Sequence, residues 1–137
     1  MNDPITLTSG AQLTLGIASF QEANDLKKAL ARELVAVNVN LTTLDIAKLS
    51  ADEMNSFKNV FFQILGSDAI ESALWKCMAR SLYNQTRISA ETFQPEAARE
   101  DYHQVAWEVM VYSLRPFGKS LLSLFAQNLP KLSNVQK

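Results

Sequence analysis

The sequence predicts a mainly α-helical fold, a compact bundle of about five helices with a small β-hairpin at the N-terminus. Apolar residues alternate with period two near the start, and they recur three and four positions apart over most of the remainder. At 137 residues, 47% of them hydrophobic and 20% charged, the chain suits one globular domain with its own core. We expect that domain to cover residues 1–130 and residues 131–137 to form a flexible tail.

The N-terminal region predicts the hairpin and the first helix. Apolar side chains fall on odd positions on both sides of a central Ser-Gly, so a hairpin at about residues 4–17 would bury one face. Ser19 precedes Glu22 by three positions, which is the spacing of a capping box, and an amphipathic pattern follows over residues 20 to about 36. Residues 37–46 alternate again, and either a third short strand or a loop fits them.

The middle of the chain predicts two further helices, separated at Gly66. Ser50 and Glu53 form a second capping-box pattern, and the helix behind them ends near Gly66, a residue favoured just past a helix C-terminus. Ser67 is a suitable N-cap for the third helix. Residues 84–86 are expected to be the exit loop of that helix.

The C-terminal third predicts an isolated turn and two helices. Residues 89–94 are expected to form the turn, because Pro95 interrupts the pattern. A fourth helix is expected from about 96 to 114. Pro116 suits the first position of a fifth helix, whose apolar side continues to about residue 129.

The charge balance and the single cysteine narrow the classes of function. The chain has 13 basic and 14 acidic residues, so it lacks the excess of Lys and Arg that nucleic-acid binding requires. One cysteine excludes an internal disulfide, and no stretch approaches the ~20 apolar residues that span a bilayer. We expect a soluble cytosolic protein without a secretory signal, a nucleic-acid partner or a membrane partner.

The familiar motifs of catalysis are not recognisable. The phosphate-binding GxxxxGK[ST], the dinucleotide-binding GxGxxG and the GxSxG nucleophile elbow are all missing from the sequence. Cys77 and His103 would be a candidate nucleophile and base, but Cys77 lies on the apolar side of its helix, which favours a core position. Glu96, Glu100 and Asp101 suit acid–base or metal chemistry, yet the helix dipole also favours acids near a helix start. We expect no enzyme activity, no cofactor and no metal.

The fourth helix has two apolar sides and a narrow polar strip. At about 100° per residue, Asp101, Gln104 and Glu108 form the strip, Tyr102 belongs to one apolar side and Trp107 to the other. The Trp107 side either packs in the core or binds a partner, and the sequence leaves both open. Large apolar side chains of this region are the candidate protein-binding anchors: Trp75, Trp107, Met110, Val111, Leu121, Leu124 and Phe125.

Four phrases of the chain, taken in order, carry a family resemblance. The first is a hairpin phrase with a central Ser-Gly, 5-ITLTSGAQLTL-15, and the second is a Phe-led amphipathic helix, 20-FQEANDLKKALARELVAV-37. The third, 74-LWKCMARSLYNQTRIS-89, ends a helix in a Tyr-Asn turn, and the fourth, 96-EAAREDYHQVAWEVMVYSLRPF-117, closes on Arg-Pro-Phe. In this order the phrases resemble the tail assembly chaperones of long-tailed, siphovirus-type bacteriophages.

The resemblance implies a non-enzymatic role in the host cytoplasm. Such chaperones bind the long, helical, aggregation-prone tape measure protein and keep it soluble while tail tube subunits polymerise around it, and they are absent from the mature virion. The resemblance also implies self-association and a longer, frameshifted form that recruits the tail tube protein. Two alternatives stay open: a structural head–tail or tail-completion protein of a phage, and a small enzyme that uses Cys77 and His103.

Overall fold

The computed structural model describes residues 3–36 and 51–117, which form four helices and one small sheet. The strands are β1 (Ile5–Thr6), β2 (Gln12–Thr14), β3 (Leu82–Tyr83) and β4 (Thr86–Arg87). The helices are α1 (Phe20–Ala36), α2 (Ala51–Ile64), α3 (Asp68–Met78) and α4 (Glu96–Leu114), and a 3-10 turn follows at Arg115–Phe117. The prediction of a mainly α-helical fold is therefore confirmed.

The N-terminal hairpin is the first half of an antiparallel sheet with the order β1-β2-β3-β4. Ile5 pairs with Leu13, and Leu13 pairs in turn with Tyr83, so the middle of the chain returns to the first hairpin. The tip of the hairpin turns through Gly10, whose φ of 94° lies in the region that favours glycine. The predicted hairpin is present, and it is part of a larger sheet than the sequence indicated.

The second hairpin corrects the prediction of an exit loop at residues 84–86. Leu82 pairs with Arg87, and a two-residue turn at Asn84 and Gln85 joins the strands. Both turn residues have positive φ, 51° and 67°, which is the conformation of the tight turns that match strand twist. Asn84 also binds the first hairpin, because its Oδ1 accepts a hydrogen bond of 2.9 Å from the amide of Gln12.

Two of the predicted helix caps are present. At the start of α1 the Ser19 amide donates to Glu22 Oε1 at 3.0 Å, and the Glu22 amide donates to Ser19 Oγ at 3.2 Å. This reciprocal pair is the predicted capping box. Ser67 Oγ accepts from the amide of Ile70 and caps α3, also as predicted.

The described residues hold four helices, not the predicted five. Pro116 lies in the 3-10 turn, and the rest of the predicted fifth helix, to about residue 129, lies outside the described residues. The possible strand at 37–46, the N-cap Ser50 and the tail at 131–137 also lie outside them.

The core lies where α1, α3 and α4 pack together. Each helix contributes fully buried aliphatic side chains, and each such side chain removed from water stabilises the fold by about 1.5–3 kcal/mol. They include Leu26, Leu30 and Leu34 of α1, Ile70, Leu74 and Met78 of α3, and Met110 and Leu114 of α4. None of the described helices has the length and apolar character needed to cross a membrane.

Candidate protein-binding surface

Aromatic side chains from four segments lie in contact beside the α3–α4 pair. Trp75 of α3 stacks on Tyr102 of α4, with ring centroids 6.2 Å apart and 26° between the planes. Phe93, from the turn before α4, packs edge to face at 5.9 Å from Trp75 and 5.3 Å from Tyr102. His103 lies 5.6 Å from Tyr102 and extends the row to Phe62 of α2, at 5.2 Å. We call these five residues the aromatic patch.

The patch is only partly covered by the chain itself. His103 is exposed, and Trp75, Tyr102 and Phe62 are partly buried. The Tyr102 hydroxyl donates to Glu71 Oε2 at 3.1 Å. Burial, reinforced by the Glu71 carboxylate, raises the pKa of Tyr102 well above its usual range, so this phenol stays a neutral donor at physiological pH. Rings with an apolar body and a polar tip suit a surface that exchanges water for a partner.

The Trp107 side of α4 packs against α2. The Trp107 ring is 6% exposed and meets Phe57 and Phe61 edge to face, both with centroids 5.7 Å away. Met110 is fully buried and Val111 is buried. Of the two possibilities that the sequence leaves for this side, the structure shows packing within the chain. Phe57 and Phe61 of α2 lie against the Trp107 ring, and Met110 and Val111 are likewise closed to a partner because they are buried.

Among the described residues, the predicted anchors therefore do not all share one exposed surface. Trp75 is the one among the described anchors that stays partly exposed, and it belongs to the aromatic patch. Leu121, Leu124 and Phe125 lie outside the described residues. The other members of the patch were not selected from the sequence. The sequence does show aromatic residues at 93, 102 and 103. It does not show whether a helix covers them, because that depends on tertiary packing.

Cys77 and His103 lie in different environments. Cys77 is fully buried, and its thiol contacts the backbone carbonyl of Glu22 at 3.7 Å. Burial raises the pKa of the Cys77 thiol to about 11, so the thiolate needed for nucleophilic attack is scarce at neutral pH. His103 is exposed in the aromatic patch, where its ring contacts Phe62 and Tyr102. These environments give no support to a nucleophile–base pair.

The acids at the start of α4 separate into two kinds. Glu96 and Glu100 are exposed, whereas Asp101 is fully buried, which corrects its assignment to the polar strip of the helix. Within the described ranges, no group of three His, Cys, Asp or Glu side chains is placed to hold a metal ion.

Asp101 and Gln104 bind the two hairpins. Ser9 donates to Asp101 Oδ1 from its amide at 3.1 Å, and its hydroxyl donates to Oδ2. The Tyr83 hydroxyl donates to the same Oδ2 at 2.6 Å. Burial and the bond to Asp101 raise the pKa of Tyr83, which keeps it protonated. Thr8 donates to Gln104 Oε1 from its amide and from its hydroxyl, each at 3.2 Å. We call these five residues the Asp101 cluster.

A second apolar surface lies at the start of α1. Ile17 and Phe20 are each 72% exposed, which is unusual for large apolar side chains beside a packed core. The Phe20 ring contacts Phe117 at 6.0 Å, and Lys27 Nζ lies 4.5 Å from the Phe117 centroid. Phe20 is the first residue of the amphipathic pattern that predicts this helix. Its exposure shows that the buried side of α1 begins after Phe20, at Ala23 and Leu26.

Comparisons with known proteins assign no family. No protein-family model matches the chain, and neither a search of curated proteins nor a search of solved structures finds a match.

Proposed function

We propose that this chain is a tail assembly chaperone of a long-tailed bacteriophage, which binds the tape measure protein and keeps it soluble while the tail tube polymerises around it. The four resembling phrases are the starting point of this proposal. They span β1–β2, α1, the second half of α3 with β3–β4, and α4. The resemblance therefore involves the elements that build both the sheet and the central helix pair.

The aromatic patch is the observation that carries the proposal. Trp and Tyr side chains mounted on helices offer large contact areas at low cost in conformational entropy, and they dominate the energetics of many interfaces. Two charged residues border the rings: Glu71 accepts from Tyr102, and Arg99 Nε donates to the Phe93 carbonyl at 3.2 Å. An apolar centre with a charged rim is the anatomy of a reversible protein-binding surface.

The expected client matches this geometry. An amphipathic helix binds by laying its apolar face on a hydrophobic surface formed by other helices. Trp75 of α3 and Tyr102 of α4 provide such a surface, and Glu71 and Arg99 allow polar contacts at its edge. The predicted anchors Leu121, Leu124 and Phe125 belong to the proposal as further contacts.

The proposal includes three further properties. The chain self-associates, it acts in the host cytoplasm and is absent from the mature virion, and a frameshifted longer form recruits the tail tube protein. It needs no enzyme activity, cofactor or metal, and no nucleic acid or membrane takes part.

Co-expression tests the central claim. Produced together with the tape measure protein of the same phage, this chain is expected to raise the soluble fraction of the client and to co-purify with it. A client that stays insoluble and does not co-purify would contradict the chaperone function. Mass spectrometry of purified virions distinguishes the chaperone from the alternative, a structural protein of the phage. A head–tail or tail-completion protein would be present in the virion, whereas the chaperone would be absent.

A variant of Trp75 tests the surface. Trp75→Glu places a charge in the aromatic patch, against Tyr102 and Phe93, and is expected to abolish co-purification while the circular dichroism spectrum keeps its helical signal. Ser56→Glu adds the same charge at an exposed position of α2 and serves as the control. Retained binding by the folded Trp75→Glu protein would show that the client binds elsewhere.

A further inference from the structure

Polar side chains attach the tip of the hairpin β1–β2 to α4. Thr8 makes two hydrogen bonds to Gln104, and Ser9 makes two to Asp101. Thr8 and Ser9 both lie on an exposed turn. The tip is thus held by side-chain hydrogen bonds that water can replace once the turn moves away.

The attachment depends on whether the hydrogen bonds to Asp101 offset the cost of burying its carboxylate. The carboxylate is fully buried, and within the described residues it has no ion pair. Its hydrogen-bond donors come from other elements, namely Ser9 of the hairpin tip and Tyr83 of β3. Removing a carboxylate from water is costly, and charge-assisted hydrogen bonds return that cost only while all of them are made. Loss of any one of these hydrogen bonds therefore leaves the buried carboxylate undercompensated and weakens the docking of the tip.

The hairpin itself is short, whereas the helices support one another. Strands β1 and β2 have two and three residues, and a two-stranded hairpin of this kind is marginal on its own. It contributes Leu7, Ala11 and Leu13 to the buried core, with partly buried Ile5 packed against them, and the short pairing of β2 with β3 also joins it to the rest of the chain. Helices α1, α3 and α4 pack directly on each other, so their mutual contacts do not run through the hairpin.

We propose that residues 5–14 open from the rest of the fold as one unit, with the Asp101 cluster as the latch. Gly16 marks the pivot, since its amide donates to Ser81 Oγ at 3.1 Å and a Cβ at this position would lie 1.8 Å from the Arg80 carbonyl oxygen. Opening returns Asp101 to water and uncovers Leu7 and Leu13. The chain thereby gains a further apolar surface that exists only in the open state. This inference does not depend on the proposed client.

Native-state hydrogen exchange of the wild-type chain tests the proposal. In low denaturant, the hydrogen-bonded amides of Leu7, Gly10 and Gln12 are expected to exchange through a local opening. That exchange should be about tenfold or more faster than exchange in the middle of α3. Equal exchange free energies for the hairpin and α3 would mean that the hairpin opens only when the whole chain unfolds, and the proposal would be wrong.

Two variants identify the latch. Asp101→Asn removes the charge but keeps the shape, and it is expected to speed exchange in residues 5–14 by about tenfold. Exchange of α3 through global unfolding is expected to speed by the same factor, because the bonds of Asp101 are broken in the open state and in the unfolded state alike. Ser9→Ala removes one hydroxyl donor from an exposed turn and is expected to speed exchange in residues 5–14 as well. This second variant tests the latch even if Asp101→Asn folds poorly. Glu100→Gln, an exposed neighbour on α4, is the control and should change neither rate. Unchanged exchange in the hairpin, or acceleration in α3 without acceleration in the hairpin, would overturn the role of Asp101.

Discussion

Helix α4 is held from two directions by contacts of different chemistry. Toward α2 the contact is apolar, with Trp107 lying edge to face on Phe57 and Phe61. Toward the sheet the contact is polar, with Asp101 and Gln104 accepting hydrogen bonds from the hairpins. Two faces of one helix thus depend on different terms in the free energy of folding.

The two faces of α4 therefore contribute differently to the stability of the fold. Apolar burial has no preferred direction and supplies the bulk of the stability. Buried hydrogen bonds to a carboxylate contribute less net free energy, but they fix one geometry and penalise every other. We therefore expect damage to the Trp107 face to unfold the protein and damage to the Asp101 face to loosen it locally.

Trp107→Glu gives the largest expected effect. The change removes a buried ring and places an unpaired charge against Phe57 and Phe61, which costs several kcal/mol of a total stability of ~5–15 kcal/mol. We expect loss of the helical circular dichroism signal and early elution or aggregation in size-exclusion chromatography. Trp75→Glu, at a partly exposed ring, is the matched control and should stay folded. A folded Trp107→Glu protein would show that this face is not core.

Tyr83→Phe tests the polar face with a smaller expected effect. The variant keeps the ring against Phe93 and deletes only the hydroxyl that donates to Asp101 Oδ2 at 2.6 Å. We expect a loss of about 1.5–3 kcal/mol in urea denaturation, because a hydrogen bond to a buried charge is lost. Tyr102→Phe removes a bond to the partly exposed Glu71 and should cost less. Equal costs for the two variants would contradict the special role of the Asp101 face.

Gly16→Ala tests the junction between the hairpin and the end of α3. The new methyl group would overlap the Arg80 carbonyl oxygen, at 1.8 Å, so the backbone has to shift. We expect a loss of about 1–3 kcal/mol by chemical denaturation, which is typical of overpacking. Gly66→Ala is the control, since its methyl group would meet nothing within 4 Å. A neutral Gly16→Ala would mean that this junction is loose.

The pH dependence from Glu22 is the smallest of the four expected effects. Hydrogen bonds from Arg80 and from the Ser19 amide lower the pKa of Glu22 from 4.5 to about 2. Because the folded pKa lies below the unfolded one, this stabilisation is present above pH 4.5 and is lost as the pH falls toward 2. The effect is small because Arg80 is 43% exposed and water screens the pair.

Glu22→Gln measures this contribution. Glutamine can keep the capping-box hydrogen bonds but cannot ionise. We expect the melting temperature of the wild type to fall more between pH 5 and pH 2 than that of the variant. Parallel melting curves at all pH values would show that the ion pair adds nothing.

Local chemistry explains which elements could be predicted from the sequence. The start of α1 follows from the Ser19–Glu22 capping box, and the bounds of α4 follow from Pro95 and Pro116. In each case the deciding residues lie within one helical turn of the boundary. The sequence does not predict the hairpin at 82–87, because Asn-Gln is a weaker turn signal than Asn-Gly and because its first strand pairs with β2, about 70 positions earlier.

The candidate surface was less predictable because exposure is a tertiary property. Trp75 and Trp107 have similar helical settings in the sequence, yet α2 covers one ring and leaves the other at the edge of the aromatic patch. Helical periodicity assigns Asp101 to the polar strip and does not predict its burial. The burial depends on its hydrogen-bond donors Ser9 and Tyr83, which come from other segments of the chain. Helical periodicity indicates which residues share a side of a helix, but it does not indicate what packs against that side.

The bond between Ser9 and Asp101 also constrains the order of events on the ribosome. The two residues are 92 positions apart, so at about 5–20 residues per second the hairpin waits roughly 5–18 s before its acceptor is synthesised. For most of that interval β3 and α4 are not yet synthesised, so Leu7 and Leu13 lack these partners. The nascent N-terminus therefore exposes apolar side chains that favour aggregation early in synthesis, and completion of α4 ends that exposure.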